Sequence, residues 1–316
     1  MISVTANVKR GTHRVIAHAV ARLLRAGAVY DPVNFRIWEQ RGYHVTPIHF
    51  YYPIPDTSEL RRRYPTGMAG AGYDLQWDAQ REFLRQVIAP YADECADLYR
   101  RPPDDQRFYL DNDAFSGIDP YVYYAMIRHL KPESVLEVGS GFSTMLAAEA
   151  VERNGTGTVK CIDPWPRAFI KNGSIPRIPQ RVEDVDPAVF QTLQAGDILF
   201  VDSSHVVRTG GDVCHIVLNV LPVLQPGVIV HFHDIYLPFE YPPDLVLDRL
   251  QFWTEQYLLQ AYITENPSVS VLFACHAMLR EHPNDMREYL PLATPFGASF
   301  WIQKMETDAS SAGKSS

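Results

Sequence analysis

With 316 residues, the chain is long enough for one large α/β unit or two average domains. Its 46% hydrophobic and 21% charged residues are ordinary for a globular protein, and no apolar run approaches the roughly 18 residues that a bilayer span requires. A net charge of −8 argues against nucleic acid, which needs a basic face.

Residues 1–30 carry Lys9, Arg10, Arg14, Arg22 and Arg25 and no acid, a composition shared with transit peptides. From Thr12 to Leu24, apolar and polar residues alternate at helical spacing, which favours an ordinary basic amphipathic helix. The segment GYHVTPIHFYYPIPDTSEL, Gly42 to Leu60, has no sustained period and reads as loop or extended chain. Trp77, Phe83, Leu84, Val87, Ile88 and Tyr91 recur near helical spacing and predict a helix over 75–98. DPYVYYAMIRHL starts another at Asp119, with Pro120 just inside it. These features divide the chain into a helical and aromatic-loop N-terminal extension (1–110), a main domain (111–305) and a polar, disordered tail (306–316). Cys95, Cys161, Cys214 and Cys275 lie far apart without paired-ligand spacing, and read as buried free thiols of a reducing, cytoplasmic compartment.

From Ser134 the pattern alternates. Strands are predicted at 134–138, 158–162 and 197–201, with a short one near 175–178; GVIVHF, SVSVLFA and ASFWIQK complete the set. Helices are predicted over 143–151 and 210–224, and a long one over PDLVLDRLQFWTEQYLLQAYI. Strands separated by helices imply an α/β fold with a mostly parallel sheet covered on both faces.

The loop after the first of these strands, SVLEVGSGFSTMLAAEA, decides the functional reading. A strand–glycine–helix turn places backbone N–H groups and a helix N-terminus at the carboxyl edge of a parallel sheet, where ligands bind. A phosphate loop would carry a Lys and Ser/Thr after its second glycine, and none is here. A dinucleotide fingerprint would carry a third glycine where Thr144 stands. Glu137, two residues before Gly139, would repel a pyrophosphate but suits a ligand with a cationic amino group. The next strand ends in Asp163, at the spacing where an acid accepts hydrogen bonds from both ribose hydroxyls.

VLEVGSGFST, IDPWP, GDILFVDSSHV, GVIVHFHDI and GASFWI resemble the class I S-adenosylmethionine-dependent methyltransferases, and within them a bacterial methyltransferase-24-type group. The resemblance spans about residues 43–303. It implies a Rossmann-like sheet of seven strands, the last antiparallel, with S-adenosylmethionine (SAM) over Gly139, Ser140 and Gly141 and the adjoining Ser143 and Thr144. It further implies Glu137 near the methionine end, Asp163 on the ribose, and an acid near the adenine, for which Glu183 and Asp184 are the candidates.

Methyl transfer from a sulfonium is an in-line displacement, so a hydroxyl acceptor additionally needs only a base or a metal to take its proton. Two strand ends supply both kinds of group: Asp202 with Ser203, Ser204 and His205, and His231 with His233 and Asp234. They fall where the sheet's ligand crevice is expected. The positions of Asp202 and His205 are similar to the acid and lysine base of catechol-type O-methyltransferases. Their second pair of metal ligands, Asp-Asn, is here Asp234-Ile235, so Asp202 and Asp234 with His233 form the candidate metal set, and imidazole would favour a transition metal. His205 is the leading base and His233 and His231 its rivals; His231, still inside an apolar strand, reads equally well as a core residue. Tyr51, Tyr52, Tyr236 and Glu240, on two aromatic and proline-rich segments, are candidate acceptor contacts, and the N-terminal extension a candidate cover. The expected function is O-methylation of a small polyhydroxylated or phenolic acceptor, a sugar or secondary metabolite. The competing readings are an inactive SAM-fold binding module and, less favoured by Thr144 and Glu137, a nicotinamide dehydrogenase.

Overall fold

The computed structural model describes residues 14–22, 24, 31–65, 67, 72–103 and 107–306. Lys9, Arg10 and Arg25 of the basic segment, and residues 307–316 of the expected tail, lie outside the described residues. The chain divides into two compact units, Met1–Tyr64 and Pro65–Ser316.

In the first unit, residues 14–22 are helical, as the amphipathic period predicts. Two further helices, Pro32–Gln40 and Thr57–Arg62, each start at an aspartate whose side chain accepts from backbone N–H groups of the first turn. Neither buries a residue. The aromatic segment between them is irregular, and Phe50 and Tyr51 are exposed.

The second unit is built on seven strands: β1 (Ser134–Val138), β2 (Thr158–Ile162), β3 (Arg177–Ile178), β4 (Ile198–Val201), β5 (Ile229–Phe232), β6 (Val269–Ala274) and β7 (Phe300–Lys304). Their order across the sheet is β3-β2-β1-β4-β5-β7-β6, with β7 antiparallel to both neighbours and every other pairing parallel. This is the expected seven-stranded sheet with its last strand reversed. Each central strand reads as a continuous apolar run because both its faces are covered. Along β4, Ile198 and Phe200 enter one core, and Leu199 and Val201 the other. The first core is closed by α2 (Asp119–Leu130) and α3 (Phe142–Asn154), and each large side chain buried there contributes about 1.5–3 kcal/mol.

Three departures from the sequence reading have local causes. The helix predicted over 75–98 is a relay: α1 (Trp77–Phe83), a π-turn at Leu84–Ile88, then shorter helical turns. Pro90 lacks an N–H and its ring displaces the preceding carbonyl, so the ladder slips to wider hydrogen bonds ahead of it. Pro222 follows the π-turn Ile216–Val220 in the same way. Residues 65–110 also belong with the sheet rather than with an extension ending at 110, since Leu84, Ile88, Cys95, Leu98, Phe108 and Leu110 pack into the core beneath α2 and α3. Finally, the long helix predicted from Pro243 to Ile263 is broken. A π-turn at Asp244–Asp248 is followed by Leu250, whose φ is +58°, and by irregular chain that leads to α4 (Glu255–Ile263). Helices Cys275–Glu281 and Pro283–Tyr289, between β6 and β7, are additional to the sequence reading.

No helix of the described residues is long and apolar enough to cross a membrane. All four cysteines are free thiols, three of them buried and Cys214 partly so.

Candidate active site

The site forms where β1, β4 and β5 end together. Val138, Val201 and Phe232 are in register, and the ladder runs one step further: Asp202 N–H donates to Val138 O at 2.9 Å and His233 N–H to Val201 O at 2.9 Å. Gly139, Asp202 and His233 therefore sit side by side at the sheet's carboxyl edge. Side chains two apart share a face, so they lie on the same face as Glu137, Phe200 and His231 beneath them.

Gly139 is required. Its φ is +93°, and a Cβ there would come within 2.1 Å of Asp202 O. A Cβ on Gly141 would meet nothing within 4 Å, which leaves the backbone beside the start of α3 open to a ligand. The loop is braced from below. Thr144 Oγ1 accepts from Gly141 N–H at 2.9 Å and donates to Glu137, whose carboxylate also accepts from Tyr123 at 2.7 Å and Ser143 at 3.4 Å. Glu137 is fully buried; burial pushes its carboxyl up to about 7, against the hydroxyl hydrogen bonds that favour the charged form. Ser143 and Thr144 are buried with it. Glu137, Ser143 and Thr144, three of the residues expected at the ligand, thus brace the loop from within, because the small hydroxyls of the first helical turn face the acid.

Asp163 is half-buried at the end of β2. Its Oδ2 accepts from Ser140 at 2.5 Å and its Oδ1 from Trp165 N–H at 2.8 Å. The loop serine and the strand-end acid therefore close on one another across the crevice. Glu183 and Asp184 form a short turn with Val182, and Glu183 pairs with Arg181 at the surface.

The second half of the site centres on His205. Its φ of +60° and that of Asp234, +56°, place two non-glycine residues in the left-handed region at adjacent strand ends. His205 Nδ1 meets Glu255 Oε2 at 2.8 Å, and its Nε2 meets Asp202 at 3.2 Å and Asp234 at 3.7 Å. Trp253 lies against the ring at 4.5 Å. Burial disfavours charge on the imidazole, but the hydrogen bonds to Asp202 and Glu255 outweigh it and hold the histidine well above its usual value. Burial likewise opposes ionisation of Asp202, yet His205 and His233 hold it down to about 2. The Asp202 side chain is 40% exposed and that of His205 only 9%, so the array opens outward at the aspartate.

The rival histidines differ. His231 is fully buried, stacked on Phe200 at 3.9 Å and against Trp301 at 4.7 Å, with neither ring nitrogen hydrogen-bonded; burial pushes it well below its usual value. It packs as a core residue: in-register neighbours on β4 and β7, Phe200 and Trp301, enclose it. His233 packs on Phe115 at 5.3 Å and keeps a raised affinity for protons, because Asp234, Asp202 and Asp119 overcome its burial.

The expected metal set is not assembled. Among the described residues no group of three or more His, Cys, Asp or Glu side chains could hold a metal ion. Asp202 and Asp234 instead converge on His205 Nε2, at 3.2 and 3.7 Å. Of the expected acceptor contacts, Tyr236 and Glu240 are engaged within the second unit. Tyr236 is buried between Tyr241 and His276, and Glu240 accepts from Tyr257, Gln256 and Tyr241 N–H. Tyr51 and Tyr52 belong to the 1–64 unit.

Glu255, Trp253 and Asp119 were not singled out by sequence. Asp119 is buried and accepts from Ala298 and Ser299 N–H, tying the start of α2 to the approach to β7. Glu255 carried one signal, Thr254 directly before an acid, which is a helix-start pattern inside what read as a continuous helix.

A family model described as a methyltransferase domain matches residues 136–235. An uncharacterised protein of Archaeoglobus fulgidus is 32% identical over 163 residues, 47% of this chain and 73% of that protein. Among solved structures, the O-methyltransferase TomG of Streptomyces achromogenes, in complex with SAM, aligns at 14% identity over 72% of this chain and 96% of its own, with a TM-score of 0.36. The Bacillus cereus O-methyltransferase aligns at 14% over 72% and 91%, with a TM-score of 0.34.

Proposed function

Because the chain belongs to the class I S-adenosylmethionine-dependent methyltransferases, we propose that it methylates a hydroxyl group of a small polyhydroxylated or phenolic acceptor, with His205 as the base. The residues are compatible with SAM: Gly141 leaves the backbone open beside the start of α3, and Asp163, at the end of β2 facing Ser140, is the candidate partner of the ribose hydroxyls. Bound SAM supplies an electrophilic methyl carbon, so the protein's remaining task is to hold the acceptor in line and take its proton.

The observation that carries the reading is His205 enclosed in a carboxylate array that opens outward at Asp202, the glycine loop's neighbour. In its neutral form Nε2 takes the acceptor's proton as the oxygen bonds to the methyl carbon and the carbon–sulfur bond breaks. The products are a methyl ether, S-adenosylhomocysteine and an imidazolium. Asp202 and Glu255 stabilise that imidazolium, as an acid does in other base–acid pairs. The carboxylates surrounding Nε2 favour this protonic route over a metal-assisted one.

An acceptor screen read by S-adenosylhomocysteine release tests the proposal, together with thermal shifts under SAM and NAD. SAM should raise the melting temperature by mass action. Stabilisation by NAD but not SAM would restore the dehydrogenase reading, and SAM binding without turnover on any hydroxyl acceptor would favour the binding module.

A further inference from the structure

Glu255 lies fifty positions from His205 in sequence and on a different element, yet three hydrogen bonds, two from Glu255 and one from Thr254, tie its segment to His205. Its Oε2 meets Nδ1 of the ring at 2.8 Å. The backbone N–H groups of Thr254 and Glu255 both donate to His205 O, at 2.9 and 3.1 Å. The irregular chain after Leu250 thus delivers the first turn of α4 onto a residue held in a left-handed conformation. Val207 N–H, donating to Thr254 Oγ1 at 2.7 Å, fastens the same two segments again.

The carboxylate is buried, 1% exposed, and its Oε1 has no hydrogen-bond partner among the described residues. A purely structural acid in such a place would be expected to spend both oxygens on donors, as Glu137 does. Glu255 instead aims one oxygen at one ring nitrogen of the leading base.

We propose that Glu255 is a positioning residue that fixes the tautomer and rotation of His205. A carboxylate on Nδ1 requires the N–H at that nitrogen, so the lone pair of the neutral ring falls on Nε2, the nitrogen turned toward Asp202 and the open side. The two backbone bonds to His205 O fix the ring's point of attachment while the carboxylate fixes its rotation. Trp253, packed on the ring at 4.5 Å, limits the rotation that remains. This inference rests on His205 being the base.

The test compares wild type, Glu255→Gln, Glu255→Asp and His205→Ala by steady-state kinetics, SAM binding, melting temperature and ¹⁵N-histidine NMR. Wild type should show a low-field His205 Nδ1–H signal. Glu255→Gln can donate its own amide to Nδ1 and favour the wrong tautomer. It should lower kcat by between about 10-fold and the roughly 10²–10⁴-fold worth of the base itself. KM for SAM should stay within about twofold, as expected for an interaction made in the transition state. Glu255→Asp retains the charge and should recover part of kcat and the Nδ1–H signal, which a space-filling role would not produce. If His205→Ala abolishes turnover while Glu255→Gln keeps kcat and the Nδ1–H signal, the positioning role is overturned and the base stands. If His205→Ala keeps full turnover, both fall. A kcat loss in Glu255→Gln matched by equal losses of SAM binding and stability, with no gain in Glu255→Asp, would also overturn it.

Discussion

Two buried glutamates define the two halves of this site, and they are used in opposite ways. Glu137, beneath the glycine loop, is met by the hydroxyls of Tyr123, Ser143 and Thr144. Glu255, beyond the loop's far neighbour, meets a histidine and leaves an oxygen unspent. A carboxyl satisfied by neutral hydroxyls keeps a fixed shape through a change of protonation, and suits a cradle. A carboxylate facing an imidazole responds to the ring's charge, and suits proton transfer. On the proposed function the contrast separates ligand holding from chemistry, and each variant below should disturb one without the other.

The largest effect is expected at His205. A positioned base contributes about 10²–10⁴-fold, so His205→Ala should lower turnover by that factor. SAM affinity should stay within about twofold, because the loop's bracing runs through Glu137 and Thr144 and not through the histidine. The pH dependence follows from the array. Since its carboxylates raise the proton affinity of His205, the acidic limb of the rate profile should centre above the ordinary value of about 6.5. The sign for stability is the same as for any group bound more tightly to its proton in the folded state. The contribution of His205 is complete below about 6.5 and is lost as pH rises through the raised folded value. Loss of SAM binding in His205→Ala, measured by calorimetry, would erase the division between the halves.

The Glu137 half makes the next largest prediction. Its carboxyl is raised to about 7, so the folded protein binds more protons than the unfolded one from about 4.5 to 7, and stability should fall across that window by a few kcal/mol. Glu137→Gln keeps hydrogen-bonding capacity without the charge and should flatten this slope in urea titrations taken across the range. The midpoint of the rate profile should not move. A shifted midpoint would mean that the two halves are electrostatically one.

Asp163→Ala should weaken SAM by about 1–3 kcal/mol, the scale of hydrogen bonds to a charged group, without altering the pH dependence. The loop, this acid and the positions of the strands were all legible in sequence, because glycines, strand-end acids and twin-faced apolar strands leave local marks: VGSG, IDP and ILFV each announce themselves within a few residues. The histidine array was half legible. Asp202, His205 and Asp234 stand at strand ends and drew notice, but what they face depends on residue 255, brought in by a helix break that apolar periodicity concealed. Leu250 in the left-handed region carries no compositional signal, since glycine and asparagine are the residues that mark such a turn. The metal expectation failed for a related reason. Convergence of two acids could be read from their positions, but the ring lying between them could not.

The smallest effect is expected at His231, and it sharpens the comparison most cheaply. Sequence leaves this histidine balanced between base and core. In the structure its nitrogens meet no donor or acceptor, and its ring lies between Phe200 and Trp301 with Tyr123 stacked at 6.2 Å. A buried polar group without partners costs folding free energy, so replacing it with an apolar ring of similar shape removes the cost while keeping the contacts. His231→Phe should therefore leave stability unchanged or slightly raised, by no more than about 1–3 kcal/mol, the penalty for one unsatisfied buried group. Turnover should stay within about twofold of wild type, and the pH midpoint should be fixed to within experimental error. Chemical denaturation and the rate profile check both. A large loss of turnover with full stability would mean that the unpartnered nitrogens of His231 serve the reaction through buried water, and that the boundary between cradle and chemistry runs deeper into the sheet than the row of Gly139, Asp202 and His233.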